Sequence, residues 1–317
     1  MSDVSLKDII KEETETIMRQ TVLLNIPPRL QWDNDNGYCG ETALQSIDLY
    51  YGAWISQQLI RNINEGEYLF QPVSFNDHRD PWRTLTLLHF TYNEWDWINS
   101  PQPQFRDFYH WMKRSTLRRH PVIFGIFLPD EDETDYDHIV PAVSIRYQNE
   151  DQYDPHDTII YYDLYNAEQI EKNLNKEEFG ATRETINDKE DADDGCLPLD
   201  IDYGIAITGI VDEDSVTLPV RLSVSEWDEP NPIFRQHSRE MRGTITVNNM
   251  TNRCFYALLR YSSYEFVSTR GNANDFLLSD FDMRHEFMAT STDYVYEDPM
   301  AISTSGSVYY RCILISE

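Results

Sequence analysis

Hydrophobic residues recur at helical spacing in the first third of the chain and at strand spacing in much of the remainder. Apolar side chains three or four positions apart predict helices at 40–62, 81–97 and 104–118. Short apolar runs predict buried strands at 121–128, 139–147 and 158–165. Helices that precede strands indicate an α+β fold, in which the helices pack on an antiparallel sheet.

Strict alternation marks the C-terminal third of the chain. One face of the segment 216–224 is apolar and the other is polar, which is typical of a single half-buried strand. The same pattern returns at 244–247, 254–261 and 308–315, with turn-forming asparagines and glycines between the runs. We therefore predict an all-β, sandwich-like domain for this part of the chain.

These patterns divide the chain into four segments. The first 20 residues are amphipathic, and a later segment is dense in acidic residues but poor in large apolar ones. We predict an N-terminal helix at 1–25, an α+β domain at 26–170, an exposed acidic loop at 171–202 and the β-sandwich at 203–317.

The composition excludes several classes of function. The formal net charge of −29 opposes binding to nucleic acid and to anionic lipid surfaces. No apolar run is long enough to span a membrane, and the N-terminus has acidic residues where a signal peptide needs a basic flank, so we expect a cytoplasmic protein. The four cysteines are widely spaced, which predicts neither a disulfide framework nor a zinc site. We expect no metal and no cofactor.

The segment Gly37-Tyr-Cys39-Gly40-Glu carries the most specific chemical signal. A polar, glycine-containing loop brings Cys39 to the first turn of an apolar-periodic helix. Unpaired backbone N–H groups and the positive end of the helix dipole favour a thiolate there, and the same N–H groups can stabilise an oxyanion. Cys254 and Cys312, in contrast, lie in apolar strand patterns that are typical of a core.

A thiolate nucleophile needs a base and a group that orients the base. His138 begins the strand pattern at 139–147, about 100 residues after Cys39. Asp163 lies on the following predicted strand, and Asn166 is the alternative orienting residue. We predict that Cys39, His138 and Asp163 form a catalytic site.

This order of motifs resembles the papain-like cysteine peptidase superfamily, nearest to the bacteriocin-leader-processing (double-glycine) peptidases and their stand-alone relatives. The similar region covers residues 26–170. It implies a papain-like domain that cleaves a peptide or related amide bond through a Cys39 thioester, with His138 as base and acid and Asp163 as orienter. The resemblance also implies Gln31 as the oxyanion donor, although Gln31 lies eight residues before Cys39, where six is usual.

Other functions stay open at this point. An amine could intercept the thioester, which would make the protein an acyl transferase. The papain-like domain could instead be an inactive binding protein, whose β-sandwich recognises protein or carbohydrate through Trp227, Tyr261 and Tyr264.

The acidic surface favours Lys- or Arg-containing peptide substrates. The basic segment from His110 to His120 is typical of a solvated helix end.

Overall fold

The computed structural model describes residues 19–32, 37–70, 81–128, 136–182, 185–186, 195–201, 203–224 and 241–316. Its helices are α1 (Cys39–Tyr50), α2 (Gln57–Ile63), α3 (Pro81–Leu87), α4 (Phe105–Leu117), α5 (Lys176–Phe179) and α6 (Ala273–Leu277). The strands of the first half are β1 (Gln20–Leu23), β2 (Ala53–Ile55), β3 (Phe90–Glu94), β4 (Val122–Leu128), β5 (Tyr136–Tyr147), β6 (Thr158–Tyr162), β7 (Gln169–Asn173) and β8 (Gly180–Ala181). Those of the second half are β9 (Leu197–Pro198), β10 (Ile205–Ile210), β11 (Thr217–Leu218), β12 (Val220–Val224), β13 (Gly243–Val247), β14 (Phe255–Tyr261), β15 (Met283–Met288), β16 (Tyr294–Glu297) and β17 (Ser307–Ser316).

A seven-stranded antiparallel sheet forms the first layer of the described fold. Its order is β3-β10-β4-β5-β6-β7, and β1 also pairs with β5. The two faces of this sheet pack against different helices. Residues such as Ile123 and Ile139 share a buried cluster with α1, whereas Phe124 and Val140 share one with α4.

Two further sheets lie in the C-terminal half. One has the order β11-β17-β14-β15, with β2 paired to β17, and the other has the order β12-β13-β16. They pack against each other through a common buried cluster that includes Leu222, Ile245, Leu258 and Tyr310. The protein is therefore mixed α/β with mostly antiparallel sheets, which confirms the expected class at this level.

The two halves of the chain are interleaved. Strand β10, from the segment predicted as the separate β-sandwich, pairs with β3 and β4 of the first sheet. Strand β2, from the first half, pairs with β17. Leu44, Ile205 and Tyr309 belong to one buried cluster, so the boundary predicted at residue 203 does not separate two cores.

Helix α1 lies between these layers, and every one of its residues is buried. Two of its polar side chains bond to backbone carbonyls: Thr42 Oγ1 donates to the Tyr38 carbonyl (2.7 Å), and Gln45 Nε2 donates to the Ile55 carbonyl (2.9 Å). The helix ends where Gly52 adopts φ +76°, a backbone conformation that favours glycine. The predicted helix 40–62 is thus wrong in its middle, because α1, β2 and α2 occupy that range.

Three other predictions also need correction. The predicted helix 81–97 contains only α3, since the chain turns at His89 (φ +62°) and continues as β3, which pairs with β10. The predicted strand 216–224 is split at Pro219, so that β11 and β12 join different sheets. The predicted N-terminal helix cannot reach residue 25, because residues 20–23 form β1, whereas residues 1–18 lie outside the described residues.

The acidic segment 171–202 is more ordered than an exposed loop where the structure describes it. Ala181, Ile186 and Cys196 pack with Phe127 in a small buried cluster. Phe127 and Cys196 also exchange backbone hydrogen bonds of 2.9 and 2.8 Å. Apolar residues scattered between the acids therefore anchor this segment to β4. The helix at 104–118 and the strands near 121–128, 244–247 and 308–315 lie as predicted.

None of the described helices is long and apolar enough to cross a membrane.

Candidate functional site around Cys39

Cys39 is the first residue of α1, as the sequence predicts, and its side chain is buried. The backbone N–H groups of Ile139, Gly40 and Cys39 itself act on the thiol in the direction that favours its ionised form and lowers its pKa. Two of these groups belong to the open first turn of the helix, and the third belongs to β5. Pairing between β5 and β6 begins only at Ala142, which leaves the Ile139 N–H outside that ladder.

An ion pair holds the start of α1 in place. Arg61 Nε lies 2.6 Å from Glu41 Oε1, and a second guanidinium nitrogen donates to the Gly37 carbonyl. The Arg61 guanidinium also lies over the Tyr38 ring, 3.9 Å from its centroid. Gly40 is required for close packing, because a Cβ there would lie 2.2 Å from the Leu69 carbonyl oxygen. Packing alone therefore accounts for the glycine at this position, without a substrate beside it.

His138 lies next to this thiol along β5 but faces the other side of the sheet. It is opposite Ile126 in the β4–β5 register, and Ile126 belongs to the cluster on the α4 face. Ile139 shares the cluster of Cys39, and successive side chains of a strand point to opposite faces. The imidazole stacks on Tyr165, with ring centroids 5.1 Å apart and an interplanar angle of 13°.

The two predicted orienting residues are engaged in the turn between β6 and β7. Asp163 Oδ1 accepts from the backbone N–H of Tyr165 (2.9 Å), and Asn166 Oδ1 accepts from that of Glu168 (2.7 Å). These are local turn bonds of the kind that Asp and Asn commonly make. His138 instead stacks on Tyr165, a residue of the same turn, and no sequence pattern indicates this contact, because it depends on how the turn packs against β5.

Gln31 lies in the same region, on the chain that leads to Cys39. Its backbone N–H donates to the Leu164 carbonyl (2.7 Å), and Leu164 shares a buried cluster with Cys39 and Ile139. The Gln31 side chain is buried, and its Oε1 has no hydrogen-bond partner among the described residues. Asp33, which holds the position six residues before Cys39, lies outside the described residues.

In this conformation the Cys39 thiol and the His138 imidazole are both neutral. Burial raises the pKa of the Cys39 thiol to about 12, although the Ile139 N–H opposes this shift, and Glu41 adds to it. Burial lowers the pKa of His138 to about 4. A thiolate–imidazolium pair needs the opposite order of pKa values. The described arrangement therefore corresponds to a resting thiol and a neutral imidazole.

The other candidate residues are mostly structural. Cys254 and Cys312 are buried in the C-terminal core cluster, as predicted, and Cys196 is buried against β4. Tyr261 is buried rather than exposed, Tyr264 is half-buried, and Trp227 lies outside the described residues. Across the described part of the chain, no three His, Cys, Asp or Glu side chains cluster as metal ligands.

No family model and no curated protein sequence matches this chain. Its function must therefore be inferred from the residues themselves.

Proposed function

We propose that the protein is a thiol hydrolase that cleaves a peptide or related amide bond through Cys39. One observation carries this proposal: Cys39 is the first residue of α1 and is buried in the same cluster as Ile139 of β5. The Gln31 backbone donates to Leu164, which belongs to that cluster. The papain-like resemblance, which rests on the sequence motifs, names Gln31, Cys39 and His138.

The proposed reaction follows acyl transfer to sulfur. His138 accepts the thiol proton while the Cys39 sulfur bonds to the substrate carbonyl carbon, and backbone N–H groups of the first turn of α1 stabilise the oxyanion. The C–N bond then breaks, and the proton on His138 passes to the leaving amine. Water then bonds to the thioester carbon as it gives a proton to His138, the C–S bond breaks to release the acid, and the proton on His138 returns to the Cys39 sulfur. An amine in place of water would give the transferase reaction.

The resting geometry requires one rearrangement before this reaction. His138 directly precedes Ile139, whose N–H contacts the sulfur, so the His138 backbone is already adjacent to the thiol. Its ring must leave Tyr165 and reach the α1 face of the sheet, which requires a change in the backbone at the start of β5, because a strand fixes the face to which each side chain points. Because burial alone lowers the pKa of His138, partial hydration of the ring would raise that pKa toward the range that a catalytic base needs.

The burial of Cys39 favours a second candidate function, a binding protein without thiol chemistry. A neutral, buried thiol at a helix start is also what a purely structural cysteine provides. In this case Cys39 would contribute packing, and the turn at Asp163 would only connect two strands.

Peptide cleavage distinguishes the two candidates. The native protein is incubated with a diverse peptide mixture at low and high salt, and the products are identified by mass spectrometry. We expect cleavage that Cys39→Ala and His138→Ala abolish, whereas Cys196→Ala and His156→Ala leave it unchanged. His156 is an exposed histidine, and Cys196 is a buried cysteine far along the chain, so these two variants are matched controls.

Two negative results together would contradict the hydrolase proposal. A peptidyl vinyl sulfone alkylates a catalytic cysteine irreversibly without needing turnover. No cleavage together with no Cys39 adduct would overturn the proposal and favour the binding protein. Preference for Lys- and Arg-containing peptides that weakens with salt would support steering by the acidic surface.

A further inference from the structure

A second feature of the molecule is a cavity of about 640 Å³ at the junction of the sheets. Its walls come from the end of α1, the turn after α4, and strands β10, β12 and β17. The volume lies within the range of small-molecule sites, about 300–1,000 Å³. Cys39 and His138 are not among its lining residues, so this cavity is separate from the thiol site.

The charge of this cavity is opposite to that of the whole molecule. Its described lining contains one carboxylate, Asp293, and four arginines: Arg118, Arg119, Arg221 and Arg311. The chain as a whole has a net charge of −29. A local excess of arginine in a concave, partly desolvated site attracts anions, whereas the acidic exterior repels them.

Arg311 is the most deeply placed of these arginines, with a side chain only 5% exposed. Its Nη2 donates to the Val211 carbonyl (3.0 Å), and Asp212 Oδ2 lies 3.7 Å away. That same oxygen accepts two bonds of 2.7 Å from Thr217. Arg311 Nε has no hydrogen-bond partner among the described residues. The Asp212 carboxylate is within ion-pair range but already accepts two other bonds, so a buried guanidinium with an unused donor is further stabilised when an anion completes its coordination.

Two further arginines are held in position before any ligand arrives. The Arg221 guanidinium lies over the Tyr50 ring, 3.6 Å from its centroid, and also donates to the Tyr50 carbonyl (3.4 Å). Arg119 Nη1 donates to the Leu23 carbonyl (2.8 Å). Fixed side chains lose less conformational entropy on binding, which favours a preformed anion site.

Much of the remaining wall is apolar or aromatic. It includes Tyr51, Ile210, Leu218 and Val220. Guanidinium groups bind phosphate and carboxylate in a planar, bidentate manner, and apolar walls bind a hydrocarbon or aromatic group. We propose that this cavity binds a small organic oxyanion, a phosphate or a carboxylate, whose aromatic or aliphatic part contacts these apolar residues.

Calorimetric titration of the full-length protein tests this proposal. The probes are phenyl phosphate, benzoate and the neutral benzyl alcohol, all at the same ionic strength. We expect saturable binding of an anionic probe, weakened about tenfold or more by Arg221→Gln and by Arg118→Gln, since each removes a charged contact. The tighter of phenyl phosphate and benzoate identifies the oxyanion.

The matched control is Arg146→Gln, which removes an exposed arginine of β5 that lies outside the cavity and pairs with Glu171. Binding should be unchanged in this variant and in Cys39→Ala. The proposal is overturned if neither anion binds, if benzyl alcohol binds as tightly, or if Arg146→Gln weakens binding as much as the cavity variants. Arg118 is exposed and Arg221 is partly exposed, so the test does not depend on Arg311→Gln folding.

Discussion

At the scale of single residues, the ionisation of the buried His138 imidazole links the stability of the fold to pH. Burial lowers its pKa to about 4 in the folded protein, whereas an unperturbed histidine has a pKa of 6.5. The unfolded chain therefore binds a proton more readily than the folded one. This contribution to stability is complete above pH 6.5 and is lost as the pH falls from 6.5 through 4.

We predict that His138→Asn reduces the acid sensitivity of the fold. When the pH is lowered from about 7 to about 4.5, the free energy of unfolding should fall by about 2–3 kcal/mol more in the wild-type protein than in the variant. This figure follows from the difference between the folded and unfolded pKa values, since one pKa unit corresponds to about 1.36 kcal/mol. Urea unfolding at the two pH values measures the difference. His156→Asn, at an exposed histidine, should behave like the wild type. Equal acid sensitivity in wild type and His138→Asn would contradict the burial of the ring.

At the scale of elements, a buried cation links helix α4 to the chain beside it, in addition to the apolar packing of the helix on the sheet. Lys113 Nζ lies 2.5 Å from Asp157 Oδ2 and donates to the carbonyls of Asn149 and Gln152, the former at 2.7 Å. Both side chains of the ion pair are almost completely buried. This cluster joins the helix to the chain between β5 and β6, and it orders a segment that has little apolar content of its own.

We predict that Lys113→Met destabilises the protein by about 3–5 kcal/mol, because it leaves the Asp157 carboxylate and two carbonyls buried without their donor. Chemical denaturation measures this loss. The exposed pair of Arg146 and Glu171 is the comparison, and Arg146→Gln should cost less than about 1 kcal/mol. The double variant Lys113→Met with Asp157→Leu has no unpaired carboxylate, so it should recover part of the lost unfolding free energy. If the double variant is no more stable than Lys113→Met, the uncompensated charge of Asp157 is not the cause of the loss.

At the scale of the whole molecule, the two halves of the chain share sheets and a core. The β10 strand completes the first sheet, and β2 adds to the sheet built around β17. Helix α1 is covered on both sides, with Leu44 in one cluster and Leu49 in the other. Each half therefore needs the other to bury its apolar surface.

We predict that residues 205–317 expressed alone do not form a stable domain. Removing the first half deprives β17 of its neighbour β2 and deprives β10 of its neighbour β3. An NMR spectrum with poor amide dispersion and no cooperative thermal transition is the expected result, whereas the full chain should unfold cooperatively. A well-dispersed spectrum from the isolated fragment would show that the predicted boundary near residue 203 separates two independent domains.

The local pattern of apolar and polar residues was sufficient to predict several features of the fold. The helix start at Cys39, helix α4, and the strands β4, β13 and β17 were predictable because periodicity and turn residues act within a few positions of the chain. The burial of Cys254 and Cys312 followed from the same alternation. The thiol at the first residue of α1 is thus a property that the sequence by itself determined.

Other features depend on contacts between distant parts of the chain. Pro219 divides an alternating segment between two sheets, and His138 of β5 stacks on Tyr165, which lies in the turn after β6. The cationic cavity joins arginines that are far apart in sequence, from Arg118 to Arg311. Register, the partner of each sheet edge and the burial of a charge are set by which elements pack together, so only the tertiary structure decided them.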